Sequence, residues 1–216
     1  MIIRLVDRDY LVLRELDRWR FCLSRHLRFL GGFASQRTCD RRLALLIEAG
    51  YIDRRYVLYG TPRLYFATHK GKALINASLK PDRFRVEQII HDIAVLDTAI
   101  YFVLQKAVPL VDIITEKELH RQDGFGGRKH KPDFVFQQEG QRYAVEVELT
   151  PKSRQRFINN LRENFLAYDG QRWIVPTAQV RITQLVEENA AIYPNIEIIT
   201  LEEIKEAITC PNKAEP

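Results

Sequence analysis

The chain has 216 residues, of which 46% are hydrophobic and 28% charged. That excludes a disordered tail, a collagen-like chain and a small disulfide-stapled scaffold, and leaves room for one large domain or two small ones. The net charge of +5 is a mild sign of a nucleic-acid partner, and the lack of any apolar run of about 18 residues argues against a membrane-spanning helix.

The charge is unevenly spread. Residues 1–80 hold 16 Lys and Arg against 7 Asp and Glu, a net +9, and 13 of those 16 cations are Arg. Residues 81–216 hold 17 against 21, a net −4. A basic half beside an acidic half suggests two modules with different tasks. Arginine in particular binds phosphate and guanine through its planar fork. Cys22, Cys39 and Cys210 are scattered and form no C-x-x-C pair, so neither a zinc site nor a disulfide framework is expected. With no signal-peptide pattern at the start, the expected location is the cytoplasm.

In chain order, Asp7 is expected to cap a helix running to about Trp19. Ser24 caps a short second helix that ends at Gly31-Gly32. Ser35 caps a third, Gln36 to Ala49, with Gly50 in the position of a terminating glycine. The period then changes. Tyr51–Tyr59 and Leu64–Ala67 read as two strands joined by a turn at Gly60-Thr61-Pro62, and a helix follows from Thr68 to Leu79. Three helices and a hairpin make a winged helix-turn-helix plan over residues 1–80. Gln36, Arg37, Arg41 and Arg42 would then face the DNA groove. Arg54, Arg55 and Arg63 would meet phosphates near the wing, and Ser35 and Thr38 would add contacts at the helix N-terminus.

Lys80-Pro81-Asp82 marks the expected boundary, with residues 81–216 as the second domain. A long helix, about Phe84 to Lys106, carries an apolar stripe of Val86, Ile89, Ile90, Ile93, Ile100 and Leu104. Asp97 falls within that stripe and reads as a structural hydrogen-bonding residue. Strands follow at Leu110–Thr115, Pro132–Phe136 and Arg142–Leu149, with a polar loop between the first two. Then come a helix from Pro151 to Tyr168, a strand at Gln171–Val175, a helix at Thr177–Glu188, a strand at Ile196–Thr200 and a helix at Leu201–Thr209. The expected class is α/β (α+β), with a mixed sheet flanked by helices.

Three acidic residues carry the expected chemistry. Asp133 opens one strand, and Glu146 and Glu148 share a face of the next because side chains alternate. The short turn at 138–141 makes these strands antiparallel neighbours, which brings Asp133 close to the glutamates. Such an oxygen cluster suits Mg²⁺ or Mn²⁺. Lys152, just beyond, is a candidate phosphate-binding cation. The alternative is a solvated acidic strand face.

Pro132-Asp133, 12 intervening residues and then Glu146-Val147-Glu148 resemble the PD-(D/E)XK nuclease motif. The resemblance implies metal binding by Asp133 and Glu146, with Glu148 standing where that superfamily has its lysine. Over most of the chain the sequence is similar to the replication-relaxation family, related to the MobC-type plasmid relaxases. The similarity rests on Leu5-Val6-Asp7-Arg8-Asp9-Tyr10-Leu11, Arg41-Arg42-Leu43, Glu48-Ala49-Gly50-Tyr51-Ile52, His91-Asp92-Ile93-Ala94-Val95 and Glu146–Ser153. It implies a winged helix joined to a restriction-endonuclease-like domain, acting on double-stranded DNA of a mobile element. A homodimer or other mobile-element proteins are the implied partners, and no membrane is involved.

Glu87 and His91, spaced i,i+4 on the long helix, are further candidates, Glu87 as a metal-binding carboxylate and His91 as a site histidine. His26, His69, His120 and His130 show no ligand spacing. The glycine-rich 124–127 stretch with Arg128, Lys129, His130 and Lys131 reads as a basic hairpin close to Asp133 that could touch the DNA backbone, not a phosphate loop; a disordered surface loop is the alternative. Tyr101, Tyr143 and Tyr168 are the tyrosines a covalent relaxase could use, and no local pattern selects one. The expected function is metal-dependent nicking or cutting of DNA. The alternatives are a non-catalytic DNA-binding regulator of replication, transfer or transcription, and a regulator that senses a small ligand.

Overall fold

The computed structural model describes residues 3–80, 82, 85–123, 130–150 and 152–209. The chain divides into two compact units, Met1–Leu96 and Asp97–Pro216. This division lies beyond the 80/81 boundary expected from sequence. One reason is that Lys72, 5% exposed, holds the segment after the last small helix: its Nζ lies 2.5 Å from Asp82 Oδ2 and 3.2 Å from the Lys80 carbonyl.

The first unit begins with three helices, α1 (Asp7–Arg18), α2 (Ser24–Leu30) and α3 (Gln36–Glu48). Val6, not Asp7, stands at the N-cap of α1, and its N–H donates to Asp9 Oδ2 at 2.8 Å. Ser35 caps α3 as expected, accepting from the Thr38 N–H. The helices bury Val12, Leu13, Leu16, Leu27, Leu43 and Leu46 at 0–1% exposure, and Cys22 and Cys39 lie among them. Each such aliphatic side chain contributes about 1.5–3 kcal/mol through removal from water.

Strands β1 (Ile52–Arg55) and β2 (Leu64–Ala67) pair antiparallel, from Ile52↔Ala67 to Arg55↔Leu64. β1 is shorter than Tyr51–Tyr59 because the ladder stops at Arg55 and the chain turns out into solvent. Helix α4 (His69–Leu74) ends before Leu79 because Asn76 takes φ +53, a left-handed value that terminates a helix.

Helix α5 (Ile89–Gln105) spans the division between the units and follows a 3₁₀ turn at Val86–Gln88. The expected stripe is only partly its buried face: Ile89 and Ile100 are buried and Ile93 is half-buried. Val86, Ile90 and Leu104 are exposed, while residues 94–102 are buried without a break. A helix that is apolar on all sides is buried on all sides. Asp97, 5% exposed, lies within that stretch and has an interaction partner.

In the second unit come β3 (Ile113–Thr115), α6 (Glu116–Gln122), β4 (Phe134–Gln138), β5 (Gln141–Val147), α7 (Arg154–Ala167), β6 (Gly170–Val175), α8 (Val180–Ala190), β7 (Ile196–Thr200) and α9 (Leu201–Thr209). The class is α+β with a mixed five-stranded sheet in the order β3-β4-β5-β6-β7. β3, β4 and β5 pair antiparallel; β5, β6 and β7 pair parallel, each step crossing over through a helix. The β4–β5 turn has two residues, Glu139 and Gly140, at φ +52 and +78, as a primed hairpin turn requires.

Each face of this sheet is covered. On one, Phe102 of α5 packs 6.1 Å from Phe134 and 4.7 Å from Phe136, and Phe136 stacks on Tyr143. On the other, Phe157 and Leu161 of α7 and Ile182, Leu185 and Val186 of α8 enclose Trp173 and Val175 of β6. Among the described residues no helix is long and apolar enough to cross a membrane.

Candidate functional site

The register of β4 and β5 sets the position of the acidic residues. The last paired position is Phe134↔Val145. Beyond it the Asp133 N–H still donates to the Val145 carbonyl at 3.1 Å, and the Asp133 carboxylate accepts the Val147 N–H at 2.7 Å. The side chain thus extends the ladder after the backbone has left it. This holds the Asp133 carboxylate against the end of β5, where Glu146 and Glu148 stand.

Glu146 pairs in register with Trp173 and so points to the α7 face. It is 2% exposed. Its Oε1 accepts from Asn164 Nδ2 of α7 at 2.9 Å and also contacts His130 Nε2. Glu148 follows the end of β5, still tied to β6 by its N–H to the Ile174 carbonyl at 2.9 Å. Its carboxylate is 3% exposed. Lys152 Nζ forms an ion pair with Oε2 at 2.5 Å, and among the described residues that oxygen has no further polar partner.

The electrostatics follow. Burial raises the pKa of Glu148; Lys152 offsets part of that, and the charges of Glu146 and Asp133 add to it. Burial alone would lower the pKa of His130, but the Glu146 carboxylate beside it more than reverses this, and the net shift is upward. Five groups therefore act on one another: Asp133, Glu146, Glu148, His130 and Lys152. The sequence reading brought the carboxylates and Lys152 together. It placed His130 in a basic hairpin near Asp133 without giving it a contact to Glu146, and it did not name Asn164. For His130 a signal was available, since it stands three residues before Asp133; Asn164 arrives from a helix and had none.

Asp, Glu and water are ligands for a hard cation, and a buried carboxylate oxygen with a single polar partner keeps a lone pair for one. The donor chemistry fits Mg²⁺ or Mn²⁺. In the described arrangement, however, His130 and Lys152 neutralise Glu146 and Glu148 internally. Among the described residues no group of three or more His, Cys, Asp or Glu side chains is set to hold a metal.

Glu87 and His91 belong to the first unit. Glu87 is exposed on the 3₁₀ turn, not on α5 itself, and His91 Nδ1 lies 3.4 Å from Asp92 Oδ1. Of the expected basic hairpin, residues 124–129 lie outside the described residues, while His130 contacts Glu146 and Lys131 contacts Asp123. Among the tyrosines, the Tyr101 hydroxyl donates to Glu203 at 2.6 Å and Tyr143 to Gln141 at 2.6 Å. Burial raises the pKa of Tyr101 and Tyr168, the opposite of what activates a nucleophile.

On α3, Ser35, Arg37, Thr38 and Arg41 are exposed and Gln36 bonds Asp40 at 2.8 Å. Ser35 and Thr38 are engaged with each other at the helix start, Oγ to Oγ1 at 2.9 Å. Arg42 differs from the sequence reading. Its Nε donates to Asp9 Oδ1 at 2.7 Å and its Nη2 to Asp9 Oδ2 and to the Arg4 carbonyl, so it ties α3 to the start of α1. Arg54 and Arg55 are exposed; Arg55 pairs with Asp53 at 2.9 Å, and Arg63 lies over the Tyr56 ring. Compared with known proteins, the chain is matched by no family model and by no curated sequence.

Proposed function

We propose that this chain is a DNA-binding protein whose second unit hydrolyses a phosphodiester with Mg²⁺ or Mn²⁺. In this reading the first unit is a winged helix that docks on double-stranded DNA through Arg37, Arg41, Arg54 and Arg55. The observation that carries the catalytic part is Lys152 beside the buried carboxylate of Glu148. The motif lacks a lysine at position 148, and Lys152 returns a cation to the same spot from four residues further on.

A bound divalent ion would neutralise phosphate charge and lower the pKa of the attacking water. Asp133 and Glu146 would hold it. Lys152 would donate to a non-bridging phosphate oxygen. Glu148, its pKa raised, would take the proton of the water as its oxygen bonds to phosphorus and the opposite P–O bond breaks. The resemblance to the replication-relaxation family supports work in the cytoplasm on a plasmid or integrative element.

A second reading is a non-catalytic DNA-binding regulator. The pairing of His130 with Glu146 favours it, because that contact occupies a carboxylate a metal would need. The test is incubation of the protein with supercoiled plasmid in Mg²⁺, Mn²⁺ or EDTA, with Asp133→Asn and Glu146→Gln alongside. The expected result is metal-dependent relaxation or linearisation, lost in both variants while a gel shift persists. Cutting that survives in both variants overturns the assigned ligands. A gel shift without cutting in any metal selects the regulator.

A further inference from the structure

The segment joining β1 to β2 presents two tyrosines to solvent among arginines. Tyr59 is fully exposed at 104% and Tyr56 is 71% exposed. Single exposed apolar residues are ordinary, but Tyr59 is held outward by a built turn. The Thr61 N–H and hydroxyl both donate to the Leu58 carbonyl, at 3.2 and 2.6 Å, and Gly60 between them takes φ +77. Leu58, Tyr59, Gly60 and Thr61 thus form a closed β-turn. Tyr59 occupies its first corner, and glycine fills the second, where a left-handed residue is required.

Tyr56 is fixed by a different contact. Arg63, seven residues on, sets its guanidinium 4.7 Å from the Tyr56 ring centroid. Such a cation holds one face of a ring and still leaves the other for stacking. Arg54 and Arg55 are exposed at the base of the same hairpin, and Asp53 pairs with Arg55. The tip therefore offers two phenol rings and three guanidinium groups within residues 54–63.

From this geometry we propose that the β1–β2 tip binds unpaired nucleobases of single-stranded or locally melted DNA, stacking them on Tyr59 and Tyr56 while Arg54, Arg55 and Arg63 hold the adjoining phosphates. A duplex keeps its base faces covered and can use only the arginines. A single strand can use both, because every base has a π-face. The inference rests on the DNA-binding reading above and adds the strand state that the tip selects.

The test measures anisotropy of labelled oligothymidine and of a labelled blunt duplex with the full chain in EDTA, for wild type, Tyr59→Ala, Tyr56→Ala and Tyr59→Phe. Both tyrosines lie on the surface, and circular dichroism confirms that each variant folds. Tyr59→Ala is expected to weaken oligothymidine binding about tenfold, the order of one lost base stack. Tyr59→Phe keeps the ring and restores binding, and duplex affinity stays unchanged in all variants. An unchanged oligothymidine affinity in both alanine variants, an equal loss on both probes, or no rescue by Phe overturns the proposal. If the wild type binds duplex but not oligothymidine, the proposal falls and the DNA-binding reading stands. If it binds neither probe, both fall.

Discussion

Glu148 is a buried carboxylate whose pKa is raised by burial, which outweighs the pairing with Lys152, so the fold disfavours its ionised form. Because its folded pKa is raised, the folded state holds this proton more tightly than the unfolded chain does. The stability this contributes is complete below the ordinary value of 4.5 and is lost as pH rises through the raised folded value. His130 has the same sign from a higher starting point. Its contribution is complete below 6.5 and is lost as pH rises through its own raised value. Both groups therefore weaken the second unit as the solution moves from mildly acidic toward alkaline. Glu148→Gln is expected to remove the acidic part of this dependence, because a titrating buried carboxyl is replaced by a neutral isostere. Thermal melts across pH check it, and a variant whose pH profile in the acidic range matches wild type would count against it.

At the scale of elements, adjacent arginines on α3 have separate tasks. Asp9 is fully buried and its carboxylate depends on Arg42. Arg42→Ala leaves that charge, among the described residues, with the Val6 N–H, and is expected to cost about 3 kcal/mol, the usual result of breaking a buried pair from one side. Arg41→Ala, on the exposed side of the same helix, is expected to leave stability nearly unchanged and to weaken duplex binding. Urea denaturation separates the two, and equal midpoints would overturn the assignment. The sequence placed α3 well, because Ser35 and Gly50 mark its ends by local chemistry. It could not distinguish Arg41 from Arg42, because the partner of Arg42 lies 33 residues away. Helix α6 was read as a loop for a different reason. It is seven residues long and buries only Leu119, so it shows little periodicity. The Thr115–Glu118 capping box that starts it was nonetheless present in the sequence.

For the whole molecule, the uneven charge sets an expectation about salt. If exposed arginines of the first unit neutralise phosphates, the logarithm of duplex affinity falls linearly with the logarithm of salt, by about 0.9 per contact. Arg37→Ala is expected to reduce the magnitude of that slope by about 1. Arg172→Ala should leave it unchanged, since Arg172 is paired with Glu197 at 2.9 Å in the acidic unit. Equal slopes for Arg37→Ala and wild type would remove Arg37 from the interface. The acidic site was legible to the extent that it is local. Asp133, Glu146 and Glu148 meet across one hairpin, and alternation fixes the face. His130 and Asn164 join Glu146 from 16 and 18 residues away, one from before the hairpin and one from a helix beyond it. Pattern along the chain carries no record of that convergence.

The two edges of β5 also differ in when they can form. Its pairing with β4 needs only the two-residue turn at Glu139-Gly140, whereas its pairing with β6 must wait for the whole of α7. Short closures form early and parallel crossovers late. During synthesis Asp133 and Glu146 can therefore meet while Asn164 and Trp173 have yet to emerge. The carboxylates spend that interval in water, where their charges are screened and cost little. Only when α7 and β6 close over them do the burial and raised pKa of Glu148 arise, so the site comes into being when β6 joins the sheet, ahead of the β7 strand that completes it.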